Sequence, residues 1–179
     1  LLFTSIEPAF DLDEVLGQMQ ERVGFMPLDQ LKFDPVRSRD YLVNGHWALY
    51  CDNYLEGFHI PFVHQGLNAA IDYETYETRL YPHMNLQIGL SKGDAISFNL
   101  PLGHPDYGKS ASAYYYWVFP NMMFNFYPWG LSINVVRPIS KKQSKVSFIT
   151  YVLDASKLDQ GAGADLDKVE REDEFVVEA

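Results

Sequence analysis

Several features that would assign a function class are scarce or absent in this chain of 179 residues. Its single cysteine, Cys51, excludes an internal disulfide and a cluster held by several thiolates of this chain. No apolar run approaches the roughly 20 residues of a membrane-spanning helix, and no basic-then-apolar leader opens the chain. Lys and Arg total 14 against 24 Asp and Glu, a net charge of −10. We therefore expect no membrane or nucleic-acid partner, because acidic surfaces repel phosphate, and a cytoplasmic location.

What is present is ordinary globular composition, with 47% hydrophobic and 15% aromatic residues. No repeat or low-complexity linker divides the chain, so we predict one domain over residues 1–179. The chain begins at Leu1 rather than Met, which we interpret as part of a longer protein. We expect Cys51 to be a small buried hydrophobic side chain.

Hydrophobic periodicity predicts both helices and strands. Apolar residues recur at helical spacing in Asp11–Val23, in Trp47–Phe58 and from about Ala164 onward. Alternation with period two, together with an extended segment and turn signals, predicts strands within Leu31–Val43, Met84–Leu90, Ile96–Leu100, Ala113–Phe126, Leu131–Pro138 and Lys145–Leu153. The pattern indicates an α+β domain in which a curved antiparallel sheet grips a long C-terminal helix.

Two of the five histidines form the first candidate site. His59 and His64 stand five residues apart, and Glu56 precedes His59 by three. Such a pair arises by chance in roughly one sequence in ten of this kind. On a helix Glu56 and His59 would share a face, whereas His64 would lie about 140° from His59. Pro61 disfavours an unbroken helix and lets the chain return His64. The set suits iron, zinc or another divalent metal; the alternative is two hydrogen-bonded histidines at a helix end.

The last predicted helix offers a third ligand. Its apolar stripe on a helical wheel comprises Leu166, Val169, Val176 and Val177. Asp173 lies inside that stripe, where a carboxylate is costly unless it is paired or binds a metal. A small rotation of the helix that exposes Asp173 to water is the alternative.

Three segments resemble one protein family. Asp52–His64 resembles the iron-binding segment in the catalytic domain of Rieske-type ring-hydroxylating oxygenases. Trp117–Asn121 with Asn125–Leu131 is similar to the branch of that family near choline monooxygenase. The third segment, Gly161–Asp165 followed by Glu170–Glu174, resembles the C-terminal ligand segment of the family.

The resemblance implies a helix-grip fold of the START-like type and one mononuclear non-haem Fe(II) held by His59, His64 and Asp173. It implies O2-dependent hydroxylation of an aromatic, quaternary-ammonium or other small organic substrate. Glu56 would be the carboxylate that links the iron to a Rieske [2Fe–2S] cluster in the neighbouring subunit of a homotrimer. A reductase or ferredoxin would supply the electrons. The Cys and His motifs of that cluster are absent from this sequence, so we expect the cluster on a missing domain or on a partner, without which the chain would be inactive.

Several residues keep open interpretations. His46 stands before Trp47, where the family usually has Asn, and is a local replacement or a pocket residue. Asp52 and Asn53 are candidates for orienting the imidazoles, and capping or a solvated position is the alternative. An aromatic group in the central strands is either core or pocket wall, and it contains Tyr114, Tyr115, Tyr116, Trp117, Phe119, Phe124 and Phe126. The competing functions are a metal-free helix-grip domain that binds a hydrophobic ligand and a zinc hydrolase with the same three ligands.

Overall fold

The computed structural model describes residues 3–179 and is built around one antiparallel sheet of seven strands. The helices are α1 (Leu12–Val23), α2 (Trp47–Leu55), α3 (Ile60–Val63), α4 (Gln65–Ala70) and α5 (Leu166–Glu178). The strands are β1 (Lys32–Val43), β2 (Glu77–Tyr81), β3 (Met84–Leu90), β4 (Ala111–Val118), β5 (Met122–Tyr127), β6 (Gly130–Ser140) and β7 (Gln143–Val152). The predicted α+β class is confirmed.

The sheet is a meander of β2 to β7, and β1 is added at its edge beside β7. Its order is β1-β7-β6-β5-β4-β3-β2, so β2 to β7 each pair with the strand next to them along the chain. A turn over Tyr127–Gly130 joins β5 to β6, and its two end residues are register partners. Proline at the second position of this turn presets the backbone angle that such turns need. In the part of the chain that the structure describes, no helix is both long and apolar enough to cross a membrane.

Helices cover both faces of the sheet, and the alternation of side chains decides what each face presents. On one face Leu86 and Tyr114 pack under α1 through residues such as Val15. On the other face the residues one step along, such as Gln87 and Tyr115, point toward the side where α2 and α5 lie. We call these the α1 face and the α5 face. Successive residues of a strand therefore alternate between an apolar layer and a layer that mixes apolar with polar side chains.

Two strand predictions need correction. Residues 96–100 are not a strand; Phe98 forms one backbone hydrogen bond to Ala111, at 2.7 Å, and its ring is buried with the α1 face. The alternation there reflects side chains that the loop buries, not a paired strand. The segment Ala113–Phe126 is two strands, because the chain reverses between Val118 and Met122.

Candidate metal centre

The chain between α2 and α4 places the two histidines. Helix α2 ends at Leu55 and not at Phe58, because Glu56 has extended backbone angles (φ −116°, ψ 151°). The break therefore comes before His59 and not at Pro61, where the sequence predicted it. Pro61 lies in the first turn of a new helix, α3, which begins at Ile60, since proline is tolerated in the first helical turn.

Glu56 and His59 consequently do not share a helix face, contrary to the prediction. They meet across the break, where His59 Nδ1 lies 2.6 Å from Glu56 Oε1. His64 follows α3 and is almost fully buried, 1% exposed. The two imidazole rings lie edge to face, with centroids 4.9 Å apart. The short helix α3 thus brings His64 beside His59. The prediction that the two histidines meet is confirmed, although the chain reaches this arrangement through a new helix and not through a turn at Pro61.

Asp173 on α5 completes the cluster. Its Oδ1 lies 3.0 Å from His64 Nε2 and 3.5 Å from His59 Nε2. One donor atom from each of the three residues lies within 4.8 Å of the others. Adjacent ligands about 2.1 Å from a common ion would be roughly 3.0 Å apart, so this spacing is compatible with a metal.

The outer nitrogens of both rings are held by glutamates. His64 Nδ1 lies 2.8 Å from Glu172 Oε2, as His59 Nδ1 does from Glu56 at 2.6 Å. These contacts leave both Nε2 atoms directed at Asp173, an arrangement common in metal sites because it fixes the tautomer and the ring plane. Sequence reasoning missed Glu172, because its position on the wheel does not reveal a contact with a residue 108 positions away.

Asn53 holds the carboxylate of the cluster. Its Nδ2 donates a 2.7 Å hydrogen bond to Asp173 Oδ1. The sequence made Asp52 and Asn53 candidates for orienting the imidazoles, whereas Asn53 contacts the carboxylate. Asn53 reaches the site because it is on the buried side of α2, and Asp52 is exposed.

The pKa values of the three residues are shifted by their contacts with one another. Burial alone would lower the pKa of His59 and of His64, but the hydrogen bonds that the imidazoles donate to Asp173 and the glutamates outweigh burial and raise both. Burial alone would raise the pKa of Asp173, but the two imidazoles lower it. A divalent cation could replace the shared protons, because metal ligands bind in their deprotonated forms.

A cavity of about 670 Å³, including the part open to solvent, adjoins the three residues. Its aromatic wall comprises Tyr54, Tyr76, Tyr115, Tyr127 and Phe148, and its polar wall comprises Gln87, Asn125, Ser132 and Asn134. Three carboxylates also line it, those of Glu56, Glu170 and Asp173. Of the aromatic group singled out from sequence, only Tyr115 lines this cavity; Tyr114, Tyr116, Phe124 and Phe126 belong to the core of the α1 face.

The other histidines lie elsewhere. His46 caps α2, where its Nδ1 accepts a 3.3 Å hydrogen bond from the amide of Ala48, and it does not line the cavity. His104 is in a loop and its Nε2 lies 2.7 Å from the carbonyl oxygen of Arg22. His83 is in the turn between β2 and β3. Cys51 is buried in the core, as predicted.

The sequence model of the ring hydroxylating alpha subunit (catalytic domain) matches residues 28–179. The chain belongs to this family. Among curated proteins, the chloroplastic choline monooxygenase of Arabidopsis thaliana is 34% identical over 151 residues, which are 79% of this chain and 33% of the relative. That of Beta vulgaris is 29% identical over 175 residues, 93% of this chain and 36% of the relative. The chain thus spans about a third of the length of these relatives, and the predicted likeness to the choline monooxygenase branch is confirmed.

Solved structures agree on the fold. A quaternary ammonium Rieske monooxygenase in complex with an inhibitor superposes with a TM-score of 0.70 at 17% identity, over 95% of this chain and 45% of that one. Naphthalene 1,2-dioxygenase bound to phenanthrene gives 0.64 at 12% identity, over 95% and 48%. The predicted helix-grip fold of this family is therefore confirmed.

Proposed function

We propose that this chain is the catalytic domain of a Rieske-type oxygenase, which hydroxylates a small organic substrate with O2 at one Fe(II) bound by His59, His64 and Asp173. The observation that carries the proposal is the convergence of three donor atoms from two distant segments beside a cavity. Two imidazoles and one carboxylate on one side of an ion leave positions open for O2 and substrate-derived ligands.

The residues fit iron in chemistry as well as in spacing. Neutral imidazole and carboxylate are ligands that suit Fe(II), and membership of the family favours iron over zinc, which would accept the same set. Bound iron would supply the oxygen activation, which no side chain of the chain can provide. The protein's own part is to hold the ligand atoms: Glu56 and Glu172 fix the imidazoles and Asn53 fixes the carboxylate.

We further propose that Glu56 couples this site to an electron donor. Its carboxylate contacts His59 while its side chain remains partly exposed, so it joins the buried imidazole to the surface. The large apolar side chains of Phe58, Phe62 and Phe175 are exposed on the neighbouring segments. Such an apolar surface fits a docked subunit that carries the [2Fe–2S] cluster, as in the homotrimer expected from the resemblance, with a reductase or ferredoxin as the source of electrons.

We propose a quaternary-ammonium substrate rather than an aromatic one. Tyr54, Tyr115 and Tyr127 line the cavity, and aromatic rings attract cations and also stack on aromatic rings. The names of the relatives, choline monooxygenases, favour the cation. These relatives are described as chloroplastic, so the cytoplasmic location expected from the sequence stays a prediction.

Metal analysis of anaerobically prepared protein tests the proposal. We expect about one iron per chain, and loss of that iron in His59→Ala and in Asp173→Ala. His83→Ala is the matched control, because His83 is a histidine outside the site, and it should keep the metal. Unchanged iron in both site variants would refute the ligand set. Zinc in place of iron would favour the hydrolase, and a hydrophobic ligand retained after chelation would favour the metal-free domain.

A further inference from the structure

Glu170 is a cavity residue that the three-ligand site does not use. It lies on α5 three positions before Asp173, so both face the same side about one helical turn apart. Its helix neighbours Asp167, Lys168 and Arg171 take part in ion pairs. Within residues 3–179 the structure gives the Glu170 carboxylate no ion pair and no hydrogen bond, although it lines the cavity.

The charges around the cavity are unbalanced. Glu56 and Asp173 each contact an imidazole, whereas Glu170 has no such neighbour. Among the described residues that line the cavity there is no lysine and no arginine. Burial raises the pKa of Glu170 to about 8, helped by the charges of Asp167 and Asp173 and opposed by that of Arg39. On its other side Glu170 borders a second cavity lined by Arg37 and Arg39, but these arginines form their ion pairs with Asp34 and Asp167. Its raised pKa means that Glu170 holds its proton at neutral pH, and a cation bound in the first cavity would stabilise the ionised form.

We propose that Glu170 selects substrates by charge, as the counter-ion of a monocationic substrate, and that the cavity disfavours substrates carrying a carboxylate. This rests on the proposed function, since it concerns the substrate of that site. The tyrosines of the cavity would face the alkyl groups of an ammonium ion. A substrate carboxylate would instead be desolvated near Glu56, Glu170 and Asp173 with no lysine or arginine to pair with it, which is a repulsive element of specificity.

A charge-matched pair of probes tests the role of Glu170. Choline and 3,3-dimethyl-1-butanol have nearly the same shape, but only choline is charged. Dissociation constants would be measured by calorimetry on the iron-loaded protein without O2. We expect the wild-type protein to prefer choline by about tenfold or more, and Glu170→Gln to remove most of that preference by weakening choline binding alone.

Glu174→Gln is the matched control, because it makes the same change on the same helix at a residue that does not line the cavity. It should keep the preference for choline. A preference that survives in Glu170→Gln, or a wild-type protein that binds neither probe, would overturn the proposal.

A second comparison needs no variant and so does not depend on how Glu170→Gln folds. The wild-type protein should bind choline at least about tenfold more tightly than γ-butyrobetaine, a zwitterion with the same trimethylammonium group. Equal or tighter binding of the zwitterion would overturn the proposal. Failure of the proposed function is distinguishable, because it would appear as absence of iron from the purified protein, whereas iron-loaded protein without charge preference would refute the role of Glu170 alone.

Discussion

The two faces of the sheet bury charge in opposite ways. Under α1, the Arg22 guanidinium contacts the carboxylate of Asp106, and both side chains are almost fully buried. Lys109 and the hydroxyl of Tyr114 also reach Asp106. On the α5 face, no lysine or arginine among the described residues lines the cavity; Glu56 and Asp173 contact imidazoles, and Glu170 forms no ion pair. A guanidinium thus neutralises the buried carboxylate of the α1 face, whereas the acidic groups of the α5 face have no such partner and would accept a cation.

The pKa directions express the same difference. Burial alone would raise the pKa of Asp106, but the charge and hydrogen bond of Arg22 outweigh burial and lower it. For Glu170 burial prevails, and its pKa rises to about 8. Burial of a charge is thus informative about function only where the chain itself provides no counter-charge.

The largest effect should come from breaking the balanced pair. Asp106→Asn leaves the Arg22 charge buried without its partner and should lower the free energy of unfolding by about 3–5 kcal/mol. Denaturant unfolding measures this, and the iron content of the folded variant should not change. Asp40→Asn is the control, since it removes an exposed ion pair with Lys145 and should cost at most about 1 kcal/mol. Equal costs for the two variants would refute the distinction.

Binding of a metal cation should stabilise the α5 face. Fe(II) at about 100 times its dissociation constant should raise the free energy of unfolding by about 2.7 kcal/mol, because folding assembles the ligands. Thermal or denaturant unfolding with and without metal checks this. His64→Ala should lose the gain, and Asp106→Asn should keep it, because effects at separate sites add. A gain that persists in His64→Ala would show that the metal binds elsewhere.

A smaller effect should follow from weakening the contact that holds the His64 imidazole. Glu172→Gln weakens the contact that orients His64 and should reduce metal affinity by roughly 10–100-fold, as removal of such outer contacts does in other metal sites. Competition with a chelator of known affinity measures it. Glu174→Gln should leave affinity as it is; the same loss in both variants would point to a general effect of charge on α5.

The smallest effect is a change with pH that belongs to the α1 face. Because the pKa of Asp106 is lowered in the folded state, its stabilising contribution is complete above the unfolded value of about 3.9. It is lost as pH falls from there through the folded value, with a slope of at most about 1.4 kcal/mol per pH unit for this proton. Unfolding titrations between those limits should show a shallower acid slope for Asp106→Asn than for the wild type. Identical slopes would contradict the pairing.

Local pattern was enough to identify the main elements. Alternation located β3, β6 and β7, and helical spacing located α1 and α5. The same wheel put Asp173 on the inward side of α5, where it meets both imidazoles. The alternation pattern failed for residues 96–100, because a loop can bury alternate side chains without pairing its backbone as a strand.

What the sequence by itself determined was the fold class, the family and the three side chains proposed to bind metal, because periodicity and motif spacing are properties of short segments. Tertiary structure alone decided that the chain breaks at Glu56 and that Glu172 reaches His64. It also decided that Glu170 lines the cavity without an ion pair in the described residues. The positions of Glu172 and Glu170 depend on distances between residues far apart along the chain, which the packing of α5 against α2 and the sheet establishes and no local pattern encodes.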